Sequence, residues 1–176
     1  AACGTALIWK HPLADLAARA TAPIGACFTL LALLTGSLWG KPMWGTWWVW
    51  DARLTSVLIL FFLYLSYMAL NNAFDDAERG FKASAILALV GFVNVPIIKF
   101  SVDWWNTLHQ PASVLKAGGP AIHSSMMTPL ILMALAFKAY YVWVLLIRMR
   151  GEINAMKVRA IRMRQVHQAN EAATRE

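Results

Sequence analysis

Trp44-Gly45-Thr46-Trp47-Trp48-Val49-Trp50-Asp51-Ala52-Arg53-Leu54-Thr55 is the stretch around which the chain is organised. Four tryptophans fall within seven residues and are followed by an acid, a base and a hydroxyl. Gly40, Lys41 and Pro42 precede it, and a long apolar run from Leu54 to Phe74 follows. Neither a helical stripe nor strand alternation uses indoles this densely. Such a segment presents broad apolar faces with N–H donors at their edges, a surface suited to a large planar amphiphile.

The composition says where that surface lies. The 176 residues are 59% hydrophobic and only 14% charged, and the mean hydropathy is +0.52. A soluble domain carries roughly a quarter charged residues, so the chain falls in the membrane class, with lipid as a partner. The formal net charge is +7. Much of the excess is confined to Arg148, Arg150, Lys157, Arg159, Arg162 and Arg164. A local basic tail of this kind argues for membrane topology and against nucleic acid as a partner. Cys3 and Cys27 stand in apolar surroundings without CxxC or histidine spacing, and read as packing residues.

A membrane helix needs about 20 mainly apolar residues. Four runs qualify: Ala20 to Leu38, Leu54 to Phe74, Ala83 to Val102 and Pro129 to Ile147. A partial fifth ends near Trp9 and has no basic region before it, so it reads as the remnant of a membrane helix rather than a signal peptide. The expected start of the intact protein therefore lies upstream of Ala1. Residues 1–150 form one multi-helix membrane domain containing the tryptophan stretch 39–55, and residues 151–176 a basic cytoplasmic tail. The runs lack strand alternation, and lipid leaves no partner for unpaired backbone, so the expected fold is an all-α integral membrane protein, a polytopic helix bundle.

Charge sets the sidedness. Lys10, Arg19, Arg79, Lys82 and the tail fall on one side, and Lys41, Arg53 and Lys116 on the other. The richer side is cytoplasmic. This places the tryptophan stretch and Trp104-Trp105-Asn106-Thr107-Leu108-His109 together on the outer face. Within the helices, Pro96 after Asn94 predicts a kink. Lys138 falls in the inner half of its helix if that helix starts near Ser125, and can snorkel inward.

The candidate binding residues follow from this placement. An aromatic belt accounts for one or two tryptophans per helix end, whereas Trp39, Trp44, Trp47, Trp48 and Trp50 cluster before one helix, and Trp104 and Trp105 stand on the same face. His109 is either a polar loop residue or an axial nitrogen for a heme iron. As a ligand it needs a partner on its other ring nitrogen, and Asp103 is the candidate. Arg53 and Lys41 can pair with carboxylates such as heme propionates, or anchor at headgroups. Asp51 either orients Arg53 or caps the helix that begins near Leu54. His123 is a conceivable second ligand, and Met126 and Met127 read as packing. No phosphate-binding loop and no catalytic constellation stands out, which favours a binding and delivery subunit over an enzyme.

Trp44-Gly45-x-x-Trp48-x-Trp50-Asp51 resembles the WWD motif of heme-handling proteins in cytochrome c biogenesis. Other branches continue with Pro and then Glu, whereas Asp51-Ala52-Arg53-Leu54-Thr55 resembles the heme exporter protein C branch. Ala22-Pro23-Ile24-Gly25, Thr35-Gly36-Ser37-x-Trp39-Gly40-Lys41-Pro42-Met43, Ala73-Phe74-Asp75-Asp76 and Trp104-Trp105-Asn106-Thr107-Leu108-His109-Gln110 agree with it. The resemblance implies six membrane helices, here about four full helices plus a remnant, in the bacterial or mitochondrial inner membrane. It implies heme b bound on the periplasmic face by Trp44, Trp47, Trp48, Trp50, Asp51, Arg53, Trp104, Trp105 and His109. His109 matches the second of two axial histidines, the first being expected upstream of Ala1. The implied partners are ABC ATPase and permease subunits, a small single-helix subunit and a membrane-anchored heme chaperone that receives the heme. The competing functions are a heme lyase acting on apocytochrome c and a transmembrane heme transporter. The Ala52-Arg53-Leu54-Thr55 continuation argues against the first, and the few polar residues in the runs against the second.

Overall fold

The computed structural model describes residues 3–5, 12–105, 107–110, 113–114 and 119–173. Trp9, Lys10, His11, Asn106 and Lys116 lie outside the described residues, and so does most of the expected N-terminal remnant, of which residues 3–5 are helical. Five long helices follow: α1 Pro12–Trp44, α2 Ala52–Asn72, α3 Ala77–Phe92, α4 Asn94–Trp104 and α5 Ser124–Ala173. No strand occurs among the described residues. The all-α polytopic bundle expected from the apolar runs is the fold that forms.

Helices α3 and α4 make one crossing. Among the described residues four segments are long and apolar enough to span a membrane: Leu13–Trp44, Ala52–Asn72, Glu78–Trp104 and Ser124–Gln168. The third is interrupted at Val93, whose N–H turns back to the Val90 carbonyl at 3.2 Å. Pro96 has no N–H to offer the Phe92 carbonyl and crowds it, so the regular ladder cannot pass. Asn94 is buried at the break, and its Nδ2 donates to the Ser56 carbonyl of α2 at 2.8 Å. The expected kink is thus a defined joint, tied to a neighbouring helix.

Burying apolar area gives no drive for association between helices in lipid, so close packing and a few polar contacts must hold them. The core follows this rule. Ala18 and Ala22 of α1, Tyr67 of α2, and Phe81 and Ala85 of α3 form one buried cluster. Gly80 brings α3 against the end of α2, where an added Cβ would stand 2.6 Å from the Asn71 carbonyl oxygen. Helix α5 leans on α1 through Thr21 Oγ1 and the Tyr141 hydroxyl, 3.1 Å apart, and through Phe28 set edge-on to Phe137 and Tyr140. It does not stop at Ile147 but runs unbroken through the basic segment to Ala173. It starts at Ser124, which places the exposed Lys138 about 21 Å along the axis at 1.5 Å per residue.

Alternating crossings bring the end of α1, the start of α2, the end of α4 and the start of α5 to one end of the bundle. At the other end the Arg19 guanidinium of α1 lies 5.8 Å over the Phe81 ring of α3. Asp51, at the start of α2, is therefore a neighbour of Thr107 and His109, beyond the end of α4.

Candidate functional site

Helix α1 runs into the tryptophan stretch and is turned out of it by Gly45, whose φ of 76° lies in the left-handed region that favours glycine. The Gly45 N–H bonds the Lys41 carbonyl at 3.0 Å. Lys41 Nζ donates to the Gly45 carbonyl at 3.1 Å and stands 5.8 Å over the Trp47 ring. Thr46 Oγ1 donates to the Trp48 carbonyl at 3.1 Å. These local contacts tie Lys41 through Trp48 into a turn.

Asp51 closes that turn. Its backbone is extended, and its Oδ1 accepts the Leu54 N–H at 2.7 Å, capping α2. A cap was one of the two roles open to it in the sequence, and it is the one adopted. The other oxygen reaches across the bundle end. Oδ2 accepts the Thr107 hydroxyl and lies 2.6 Å from His109 Nδ1. Thr107 Oγ1 in turn accepts the His109 backbone N–H at 3.1 Å. Asp51 is buried and the His109 side chain is 18% exposed. Burial works to raise the Asp51 pKa, but the hydrogen bonds from Thr107, Leu54 and His109 outweigh it and hold the carboxyl below its ordinary value.

The partner of His109 is thus Asp51, not Asp103. Asp103 is exposed in the last turn of α4, and the loop that follows carries His109 back over the start of α2. Trp44 packs against the imidazole, ring centroids 4.8 Å apart at 71°. Trp39 extends the cluster, edge-on to Trp44 at 5.4 Å. Trp48 and Trp50 pair edge to face at 5.5 Å. The Trp48 Nε1 is buried with no hydrogen-bond partner among the described residues, while Trp47 and Trp50 are exposed.

The remaining candidates are more loosely placed. Trp104 stacks on Phe100 at 5.5 Å rather than joining the rings around His109, and Trp105 is exposed. Arg53 is half-buried in the first turn of α2, its carbonyl accepting the Ser56 hydroxyl. His123 is engaged elsewhere: its Nδ1 accepts the Ser125 N–H at 3.3 Å and lies 2.7 Å from the Ser125 hydroxyl, at the start of α5. Thr107 was not singled out in the sequence, where nothing distinguishes it from any loop hydroxyl. A cavity of about 240 Å³ lies between α1, α2 and α3, lined by Thr21, Tyr64, Tyr67 and Gly91 among others. It shares no residue with the cluster at the bundle end.

Fold and site together define a polytopic helical membrane protein with a carboxylate-oriented histidine set among tryptophans at one end of its bundle. The family model described as Heme exporter protein C matches residues 1–164, and the chain belongs to that family. It is 62% identical over 165 residues to the Heme exporter protein C of Bradyrhizobium diazoefficiens, covering 94% of this chain and 62% of that protein. It is 57% identical over 148 residues to the Heme exporter protein C of Haemophilus influenzae, covering 84% of this chain and 60% of that protein. It is also 53% identical over 131 residues to a putative cytochrome c biosynthesis ccmC-like mitochondrial protein of Marchantia polymorpha, covering 74% and 54%. The chain thus spans about three fifths of the length of the bacterial relatives.

Proposed function

We propose that this chain binds heme b at the tryptophan end of its bundle and hands it on during cytochrome c maturation, with His109 as an axial ligand. The observation that carries the reading is the contact between His109 Nδ1 and Asp51 Oδ2 at 2.6 Å. An ionised carboxylate only accepts, so Nδ1 carries the proton and Nε2 keeps its lone pair for a metal. Among the described residues no three His, Cys, Asp or Glu side chains gather as a metal site. An iron bound here must bring most of its own ligands, and a porphyrin does so.

The surroundings fit the same cargo. The exposed rings of Trp47 and Trp50 offer apolar faces to a flat ring system. Among the described residues Trp48 Nε1 is a donor without a partner, and a buried donor in that state is costly unless something else satisfies it. Lys41 and Arg53 flank the cluster as cations for the propionates. Trp104 and Trp105 would close the outer edge. The names of the relatives, Heme exporter protein C, support a heme-handling role.

The setting proposed is the bacterial inner membrane, with the WWD stretch and the His109 loop periplasmic and the basic tail cytoplasmic, following the excess of Lys and Arg on the tail side. In that orientation the chain presents heme to a membrane-anchored heme chaperone. ABC ATPase and permease subunits and a small single-helix subunit complete the assembly. The visible spectrum of the purified protein tests the reading. His109→Ala is expected to lower the heme content and shift the Soret band. Unchanged heme content with an unchanged band would remove His109 from the site.

A further inference from the structure

His109 can turn either ring nitrogen toward a ligand, and something must choose. The choice is made 58 residues away in sequence. Asp51 Oδ2 takes Nδ1, and the Asp51 side chain cannot swing aside, because its Oδ1 is bound by the Leu54 N–H at 2.7 Å. The start of α2 is therefore the anchor of the imidazole. Thr107 competes for the same oxygen: its hydroxyl donates to Oδ2 and also lies 3.1 Å from His109 Nδ1.

The geometry points to Asp51 as the positioning residue of the heme ligand: it fixes Nε2 as the metal-facing nitrogen and strengthens its donation, while Thr107 draws part of the carboxylate's charge away. The inference rests on the reading of His109 as an axial ligand. An N–H held by a carboxylate gives the imidazole partial anionic character, and partners of this kind change metal affinity about 10–100-fold. A stronger donor favours the more highly charged iron, so Asp51 lowers the reduction potential of the bound heme. Thr107, by taking up charge on Oδ2, moderates that effect. The two residues therefore act with opposite sign on one observable.

Asp51→Asn isolates the effect from folding, since Asn caps helices about as well as Asp. With its amide oxygen kept on the Leu54 N–H, it turns an N–H₂ toward Nδ1 and favours the proton on Nε2, the ligating atom. The test is a visible-spectrum redox titration of heme-loaded protein in detergent for wild type, Asp51→Asn, Thr107→Val and His109→Ala. In Asp51→Asn the ferric-to-ferrous affinity ratio is expected to fall about tenfold, a rise of about 59 mV for a one-electron couple. A spectrum identical to that of His109→Ala also supports the proposal, because ligation then requires the carboxylate. Thr107→Val is expected at or below the wild-type potential. An Asp51→Asn potential equal to wild type, or a rise in both variants, overturns the proposal. If His109→Ala leaves content and spectrum unchanged, the ligand reading itself fails, and the two failures are told apart.

Discussion

Trp44 meets His109 edge to face, with ring centroids 4.8 Å apart and planes at 71°. The indole closes one side of the imidazole while Asp51 holds its Nδ1 at 2.6 Å. An aromatic pair of this kind contributes about 0.5–1.5 kcal/mol beyond its buried area. Trp44→Ala removes the wall and leaves the anchor. Heme affinity is therefore expected to fall about 2–10-fold, the equivalent of that energy, while the band position stays that of wild type. Trp44→Phe should recover most of the loss. Heme titration of the two variants checks this, and equal affinity in wild type and Trp44→Ala would show that the indole does not shape the site.

Asn94 is a buried amide in the middle of a membrane crossing, donating to the Ser56 carbonyl at 2.8 Å. Side-chain hydrogen bonds between membrane helices average about 0.6 kcal/mol and reach about 1.7. Asn94→Ala also opens a small void, so a loss of about 1–2 kcal/mol is expected. Reversible unfolding in mixed micelles measures it. No loss would mean that Pro96 alone maintains the break at Val93.

Much of this architecture was legible because lipid simplifies the code. A run such as Leu54 to Phe74 has one stable conformation in a bilayer, so α2 could be read nearly to its ends, and the Asn94–Pro96 pair announced the joint. The histidine's partner was not legible. Asp103 is closer in sequence, but helical geometry leaves it exposed on α4, whereas His109 lies against Asp51. The signal available was indirect: an acid at a helix start, flanked by apolar residues, must find donors for both oxygens when buried, and the Leu54 N–H satisfies only one of them. The length of α5 was missed for a different reason. Apolarity ends near Ile147, but Arg, Lys, Glu, Met and Ala are all good helix formers and carry the helix on to Ala173.

Two glycines should respond oppositely to the same change. A Cβ on Gly80 would lie 2.6 Å from the Asn71 carbonyl oxygen, a backbone atom that cannot step aside, whereas a Cβ on Gly36 meets nothing within 4 Å. Gly80→Ala is expected to cost about 1–3 kcal/mol through forced separation of α2 and α3. Gly36→Ala should be neutral or stabilising by up to about 1 kcal/mol. Thermal unfolding of both variants in one detergent decides the point, and equal midpoints would place the α2–α3 contact elsewhere.

The Asp51 carboxyl lies below its ordinary value of 3.8 in the folded protein. The sign of the pH dependence follows. Above 3.8 the group is ionised in folded and unfolded chains alike, and its stabilisation is fully present. As pH falls below that value the unfolded chain takes up the proton first, and the stabilisation is lost on the way to the folded-state pKa. Stability is therefore expected to drop more steeply below about pH 4 in wild type than in Asp51→Asn, which has no proton to take up at this site. Unfolding midpoints across pH 3 to 7 in detergent compare the two. Parallel curves would mean that the carboxylate's contacts with Thr107, Leu54 and His109 do not favour its charged form.

In the proposed topology the basic continuation of α5 sets the sidedness. Arg148, Arg150, Lys157, Arg159, Arg162 and Arg164 follow the apolar part of the helix, while Lys41 and Arg53 flank the tryptophan end. Lys and Arg flanking membrane segments favour the cytoplasmic side, so a reporter fused after Glu176 should be active only in the cytoplasm. Replacing those six tail residues with Gln is expected to weaken this preference without disturbing the Thr21–Tyr141 contact that docks α5 on α1. A C-terminal reporter active only outside would invert the bundle and place His109 on the cytoplasmic face, where the proposed delivery could not occur.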